Sequence, residues 1–351
     1  MNKYIQVRDG EELDREIIKA FILSNFENVK DDKFEVKQFP SGKSNLTYFI
    51  KMGEWEGVLR RPPNGPLPPK AHDMNREHDL LKKLHTVFPL APKPYILCND
   101  KSVLNCPFYI MERIKGHTID DELIIQKNMT KEQKRHISTL MVDAIVELHN
   151  VDYKQVGLEK LGFPKGFLER RLNNWISRFN KYKTEDIGVL DNVTKWLKNN
   201  IPKEQKATLI HNDFKLNNAL VDDSLKHLNG IVDWEMTTIG DPLFDLGSTL
   251  SYWVEEDDSE LLKESLEITT AQPGFITREE FLQMYVSKTG RDISSFLFYL
   301  VLAYFKIAVT QQQIYYRYKS GTTNDPRFAR FKQSVRNLII YSDRLIQNKR
   351  I

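Results

Sequence analysis

A chain of 351 residues is long for one hydrophobic core, so two lobes are expected. Its 51 basic and 48 acidic residues leave a net charge of +3, too balanced to argue for a nucleic acid or an anionic membrane as partner, and 40% apolar residues describe an ordinary globular protein. Cys98 and Cys106 fit no zinc or redox spacing and exclude a disulfide-stapled scaffold; with an amino-terminus lacking a signal-peptide core, they predict a cytoplasmic protein.

Leu13, Ile17, Ile18, Phe21 and Ile22 recur at helical spacing and predict an opening amphipathic helix over 10–26. Alternating stretches predict strands at 34–39, 46–51 and 55–60. Between the first two lies QFPSGKSNLTYF (38–49), whose GKS has the letters of a P-loop. The Walker pattern needs a glycine five residues before the GK, and Lys37 stands there; LTYFI is also strand-like where the Walker loop opens a helix. A P-loop NTPase is thereby disfavoured. The stretch reads instead as a hairpin whose small polar tip can lie over phosphates. PPNGPLPP (62–69) can only be a loop or an extended segment. A helix is predicted over 72–85, with Leu80, Leu81 and Leu84 on one face, then strands at 95–98 and 107–111.

Beyond about residue 116 the pattern turns helical. Thr130 with Gln133, and Thr277 with Glu280, spell capping boxes. The stretch 293–305 is too short to span a bilayer and reads as a buried helix, so no membrane span is expected. The predicted class is α+β: a small antiparallel-sheet lobe over 1–112, with five strands and a Glu-bearing helix, then a larger helical lobe over 113–351.

The chemistry is concentrated in TLIHNDFKLNNALVDD and LNGIVDWEMTTIGDPLFDLG. Short apolar runs flank a loop that displays His211, Asp213, Lys215 and Asn218, and a further run delivers Asp233. Phosphoryl transfer explains such a collection. Mg²⁺ wants hard oxygens, which Asn218 and Asp233 supply; an acceptor hydroxyl needs a base, for which Asp213 is placed; Lys215 can neutralise charge on the moving phosphoryl group. This is the H-x-D-x-K-x-x-N spacing of a kinase catalytic loop followed by its metal-binding Asp. His211 is expected to hold the loop, His149 to lie in the core, and Asp241 and Asp245 to cap a helix and brace the loop. GluGluAspAsp (255–258) reads as a solvated loop rather than an acidic pocket.

HNDFKLNN, DWE and GDPLFDLG resemble the aminoglycoside phosphotransferase and choline kinase branch of the protein-kinase-like superfamily, with DWE in place of DFG. SGKSNLTYFI resembles that branch's nucleotide loop, VLRRPP its third strand, NREHDLL its ion-pair helix and FYIMERIKG its hinge. FLERRLNNWISRF, PGFITREEFLQMYVSKTGRD and FYLVLAYFKIAVTQQQIYYR are similar to the kinase-like domains associated with acyl-CoA dehydrogenases. Together these span about residues 34–325.

The resemblance implies a bilobal protein-kinase-like fold, ATP or GTP with Mg²⁺, and transfer of the γ-phosphoryl group to an alcohol. By position it makes Asp213 the catalytic base, with Lys215 beside it, and Asn218 and Asp233 the Mg²⁺ ligands. Ser41, Gly42, Ser44 and Asn45 would form the turn over the phosphates. Arg60, standing where Lys is usual, would grip phosphate and pair with Glu77, Arg61 being the alternate. Met111, Glu112 and Ile114 would line the adenine hinge, and Asn212 replaces a more common Gly. No APE motif or long activation segment follows Asp233, which disfavours a peptide substrate. A small hydroxylated molecule is expected, a hydroxyacyl-CoA first, with an acyl-CoA dehydrogenase as a separate pathway partner. An aminoglycoside kinase is the alternative, weakened by the basic stretch DRLIQNKRI; a nucleotide-binding pseudokinase is the other, opposed by the retained Asp213, Asn218 and Asp233.

Overall fold

The computed structural model describes residues 4–40, 45–65 and 72–349. Ser41, Gly42, Lys43 and Ser44 of the predicted phosphate turn, residues 66–69 of the proline-rich stretch and the final Arg350 and Ile351 lie outside the described residues.

Asp14 starts the first helix, α1 (Arg15–Asn25), by accepting the N–H groups of Glu16 and Ile17 at 3.1 Å. Ile18 and Ile22 are fully buried, each contributing about 1.5–3 kcal/mol, whereas Ile17 departs from the predicted apolar face and is exposed. Strands β1 (Phe34–Gln38), β2 (Leu46–Met52) and β3 (Trp55–Arg61) follow. Met52 pairs with Trp55 across a two-residue turn, and Gly53 supplies its left-handed conformation at φ 58°. Asp73 caps α2 (Met74–Leu84), and β4 (Pro94–Cys98) and β5 (Phe108–Met111) complete an antiparallel sheet in the order β1-β2-β3-β5-β4. The five predicted strands are all present in it.

The short β6 (His117–Thr118) leads to α3 (Asp121–Gln126) and α4 (Lys131–Asn150). Thr130 and Gln133 form both halves of the predicted capping box, and α4 buries Ile137, Met141, Ile145 and Leu148 along one face. Then come α5 (Phe167–Tyr182), α6 (Leu190–Asn199), β7 (Thr208–Ile210), β8 (Ala219–Val221), β9 (Leu228–Ile231) and β10 (Thr238–Gly240). Asp241 caps α7 (Pro242–Ser251) through the Leu243 N–H at 2.9 Å, with Pro242 in the first turn as expected. The chain closes with α8 (Glu260–Lys263), α9 (Arg278–Thr289) behind its own Thr277–Glu280 box, α10 (Phe296–Lys319) and α11 (Phe331–Asn348). Among the described residues no helix is long and apolar enough to cross a membrane.

These elements form two compact units. The first comprises Met1–His117 with Leu220–Asp222 and Leu228–Glu235. Its core joins Ile18 and Ile22 of α1 to Tyr48, Ile50, Leu59, Phe108 and Ile110 of the sheet. The second comprises Thr118–Ala219, Asp223–His227 and Met236–Ile351, built around α10, which packs on α5, α7 and α11. Asp233 therefore belongs to the first unit and Asp213 to the second.

Candidate active site

In the first unit, the alternation of β3 sends neighbouring arginines to opposite faces. Arg61 gives Nη1 to Asn64 at 2.7 Å and lies over the Tyr48 ring, whereas Arg60 meets three carboxylates. Arg60 Nε lies 3.2 Å from Glu77 Oε2, and its Nη2 lies 2.7 Å from Asp233 Oδ1 and 3.3 Å from Glu235 Oε2. The structure thus brings Arg60 and Glu77 together and directs Arg61 elsewhere. Asn45 joins the cluster by donating Nδ2 to Glu235 Oε2 at 2.5 Å.

Arg60 faces three carboxylates in a largely enclosed place, and Arg76 lies beside them, giving Nη1 to Glu235 O at 3.1 Å. Burial works against the Arg60 charge, yet Glu77 and Asp233 hold its pKa well above the ordinary value. Burial pushes the Glu77 carboxyl up to about 7, with Arg60 opposing and Asp233 and Glu235 adding to the rise. Asp233 and Glu235 present the kind of hard oxygen that a divalent cation takes. No three His, Cys, Asp or Glu side chains form a complete cage among the described residues. Mg²⁺ is commonly held by one or two carboxylates together with substrate phosphates. Asp233 itself sits at φ 71°, a conformation that costs an aspartate energy and marks a constrained position.

In the second unit, the loop after β7 carries the other predicted groups. Asp213 Oδ2 lies 3.1 Å from Lys215 Nζ, and Asn218 donates Nδ2 to Asp213 O at 2.8 Å and to Oδ2 at 3.0 Å. The amide of Asn218 is thereby oriented with Oδ1 as its oxygen donor. Asp213 gives its N–H to His211 Nδ1 at 3.3 Å, so His211 holds the loop, as expected. Beneath them Asp245 is completely buried. It accepts the N–H groups of His211 at 2.7 Å and Asn212 at 2.6 Å, and meets His149 Nε2 at 3.3 Å, while the other His149 nitrogen pairs with Tyr285 Oη at 2.8 Å. Burial alone would raise the Asp245 pKa, but His149 and His211 hold it below the usual range. Asp245→Asn would turn an amide N–H₂ toward one of two buried N–H groups. A loss of about 1–3 kcal/mol in unfolding free energy is expected by urea titration.

A recess open to solvent adjoins this loop and is lined by Lys215, Asn217, Tyr252, Trp253, Glu267 and Thr270, among others. Lys215 Nζ lies 5.1 Å above the Tyr252 ring, and Asn217 donates to Glu267 at 3.2 Å. Among the described residues, Glu267 is the only acid in that lining.

The predicted hinge residues are placed individually. Met111 is buried at the end of β5, the Glu112 N–H is taken by Lys93 O at 2.8 Å, and Ile114 packs against Gly230. The expectation of a solvated loop at 255–258 is corrected in part: Asp258 is buried and, with Glu255, pairs with Arg278 at 2.6 and 3.2 Å, because that buried guanidinium needs counter-charge. Sequence reasoning missed Glu235, although it lies two residues after Asp233 in DWE. It also missed the link from His149 to Asp245, and Lys306, whose signal was a lone charge inside the apolar run 296–309.

The model of the phosphotransferase enzyme family matches residues 35–275. Acyl-CoA dehydrogenase family member 11 of Gallus gallus is 28% identical over 343 residues, which cover 95% of this chain and 43% of that protein. The chain thus spans less than half the length of this relative. A solved structure from Ralstonia eutropha JMP134, provisionally described as an aminoglycoside phosphotransferase, is 25% identical with a TM-score of 0.79, covering 95% of this chain and 99% of the other. Choline kinase of Cryptosporidium parvum Iowa II, at 14% identity and TM-score 0.59 over 96% of this chain and 97% of its own, shares the protein-kinase-like α+β fold.

Proposed function

We propose that this chain, which belongs to the phosphotransferase enzyme family, moves the γ-phosphoryl group of ATP to a hydroxyl of a small molecule. The observation that carries the reading is Asp213, held 3.1 Å from Lys215 and 3.0 Å from Asn218 on the loop after β7. Asp213 orients the acceptor hydroxyl and takes its proton as the acceptor oxygen bonds to phosphorus and the bond from phosphorus to the bridging oxygen breaks, releasing ADP. Lys215 offsets charge on the oxygens of the group in transfer. Asp233, with Glu235 beside it in the first unit, and Asn218 in the second are each proposed as oxygen donors to Mg²⁺, which would contribute charge neutralisation when bound. Arg60, kept protonated by Glu77, faces the nucleotide phosphates beside Asn45, with Met111, Glu112 and Ile114 along the adenine. GTP is the other nucleotide to be compared.

The recess beside Lys215 is proposed to receive the acceptor. A single acid in its lining, Glu267, suits a polycationic antibiotic poorly, and Tyr252 and Trp253 suit an acceptor with an apolar portion. Similarity to a protein named for acyl-CoA dehydrogenation supports a hydroxyacyl-CoA, phosphorylated on its hydroxyl, with a dehydrogenase acting on the same acyl group. Incubation with ATP, Mg²⁺ and, separately, 4-hydroxyacyl-CoAs, choline and an aminoglycoside tests the assignment. Acceptor-dependent ADP release with the CoA esters is the expected result, and phosphorylation of a different alcohol while the CoA esters stay untouched would overturn it.

A further inference from the structure

Within α10, Lys306 is the one charged residue of the apolar run Phe296–Val309. An unbranched apolar side chain could fill the same space without the cost of desolvating an ammonium, which amounts to several kcal/mol. The ammonium has a specific target. Lys306 Nζ donates to the carbonyl of Asn212 at 2.6 Å and to Ser248 Oγ at 3.0 Å, and lies 5.6 Å from the centre of the Phe244 ring. Desolvation lowers its pKa to about 8, with Asp213 and Asp245 opposing the fall, so it remains mostly charged at neutral pH.

Asn212 is the residue that needs holding. It sits at φ 68°, a left-handed conformation that an asparagine adopts at some cost and a glycine adopts freely. Its N–H goes to Asp245 at 2.6 Å and its Nδ2 to Met236 O at 2.6 Å, while the N–H of the following peptide goes to His211. Lys306 takes the remaining polar end of the peptide that joins Asn212 to Asp213. We infer that Lys306 is a positioning residue for phosphoryl transfer, clamping the Asn212 carbonyl so that the strained peptide leading into Asp213 keeps the carboxylate aimed. The inference rests on Asp213 being the base.

ATP hydrolysis with water as acceptor provides the assay, and amide hydrogen exchange reports on the loop independently. Lys306→Met is expected to lower kcat roughly 10–100-fold with KM for ATP unchanged, since small misplacements of a reacting group cost about that much. The Asp213 amide should exchange faster while global stability holds. Placed in an Asn212→Gly background, the same substitution should cost several-fold less, because glycine keeps the left-handed turn without the clamp. Lys306→Gln retains a donor and serves if the methionine variant does not fold; it should recover part of the rate. An unchanged kcat, a loss confined to KM, or an equal loss in both backgrounds would overturn the inference. Absence of turnover with water in the unaltered protein leaves transfer to an alcohol to the acceptor panel above. The amide exchange would then decide on the clamp, unchanged protection at Asp213 overturning it.

Discussion

Asp213→Ala is expected to reduce phosphoryl transfer by about 10²–10⁴-fold, the range over which a positioned general base acts, while nucleotide affinity stays near its original value. Asp213 is partly exposed, so its removal takes one carboxylate from Lys215 and Asn218 without opening a core cavity. Asp213→Asn separates charge from placement. The amide can keep an oxygen toward Lys215 but cannot take the acceptor's proton, so it should fold normally and be nearly as slow. Steady-state rates at saturating ATP, with thermal melting of each variant, check both points. Equal rates in Asp213→Ala and the unaltered protein would remove Asp213 from the chemistry.

Arg60→Ala is expected to cost about 3–5 kcal/mol of stability, because it takes the ion-pair partner from the buried Glu77 and one cation from Asp233 and Glu235. Nucleotide binding should weaken as well. Guanidinium chloride unfolding and ATP titration measure the two losses. Lysine at position 60 would retain the charge but not the fork that reaches Glu77 through Nε and Asp233 through Nη2, so its stability should fall between the two. Lys43→Ala should leave most of the activity, since the letters GKS lack the Walker glycine. A larger loss from Lys43→Ala than from Arg60→Ala would reverse the assignment of the phosphate-gripping charge.

Features encoded within a few neighbouring residues were legible in the sequence. The capping boxes at Thr130 and Thr277, the Asp241–Pro242 helix start and the five alternating strands depend on local spacing, and each occurs where it was expected. The phosphotransferase class was legible for another reason: the residue types and spacing of the loop after β7 answer to one chemistry, and the family match over 35–275 agrees with that class. What stayed hidden depends on contacts between segments far apart in the chain. Glu235 gains its significance only when Arg60 arrives from β3, and Lys306 only when the helix α10 passes Asn212. Asp258 looked solvated because its partner, Arg278, lies beyond a separate turn. Ile17 shows the same limit from the other side: its spacing fits the apolar face, but neighbouring elements leave it exposed.

Phosphorus NMR of the protein with ATP, Mg²⁺ and the panel of alcohols tests phosphoryl transfer most directly. A new phosphomonoester resonance that grows as the γ-phosphate signal falls, and that fails to appear with Asp213→Ala, is the result expected. An ATP spectrum unchanged with every acceptor, under conditions where the nucleotide binds, would contradict the assignment and leave a nucleotide-binding protein without transfer.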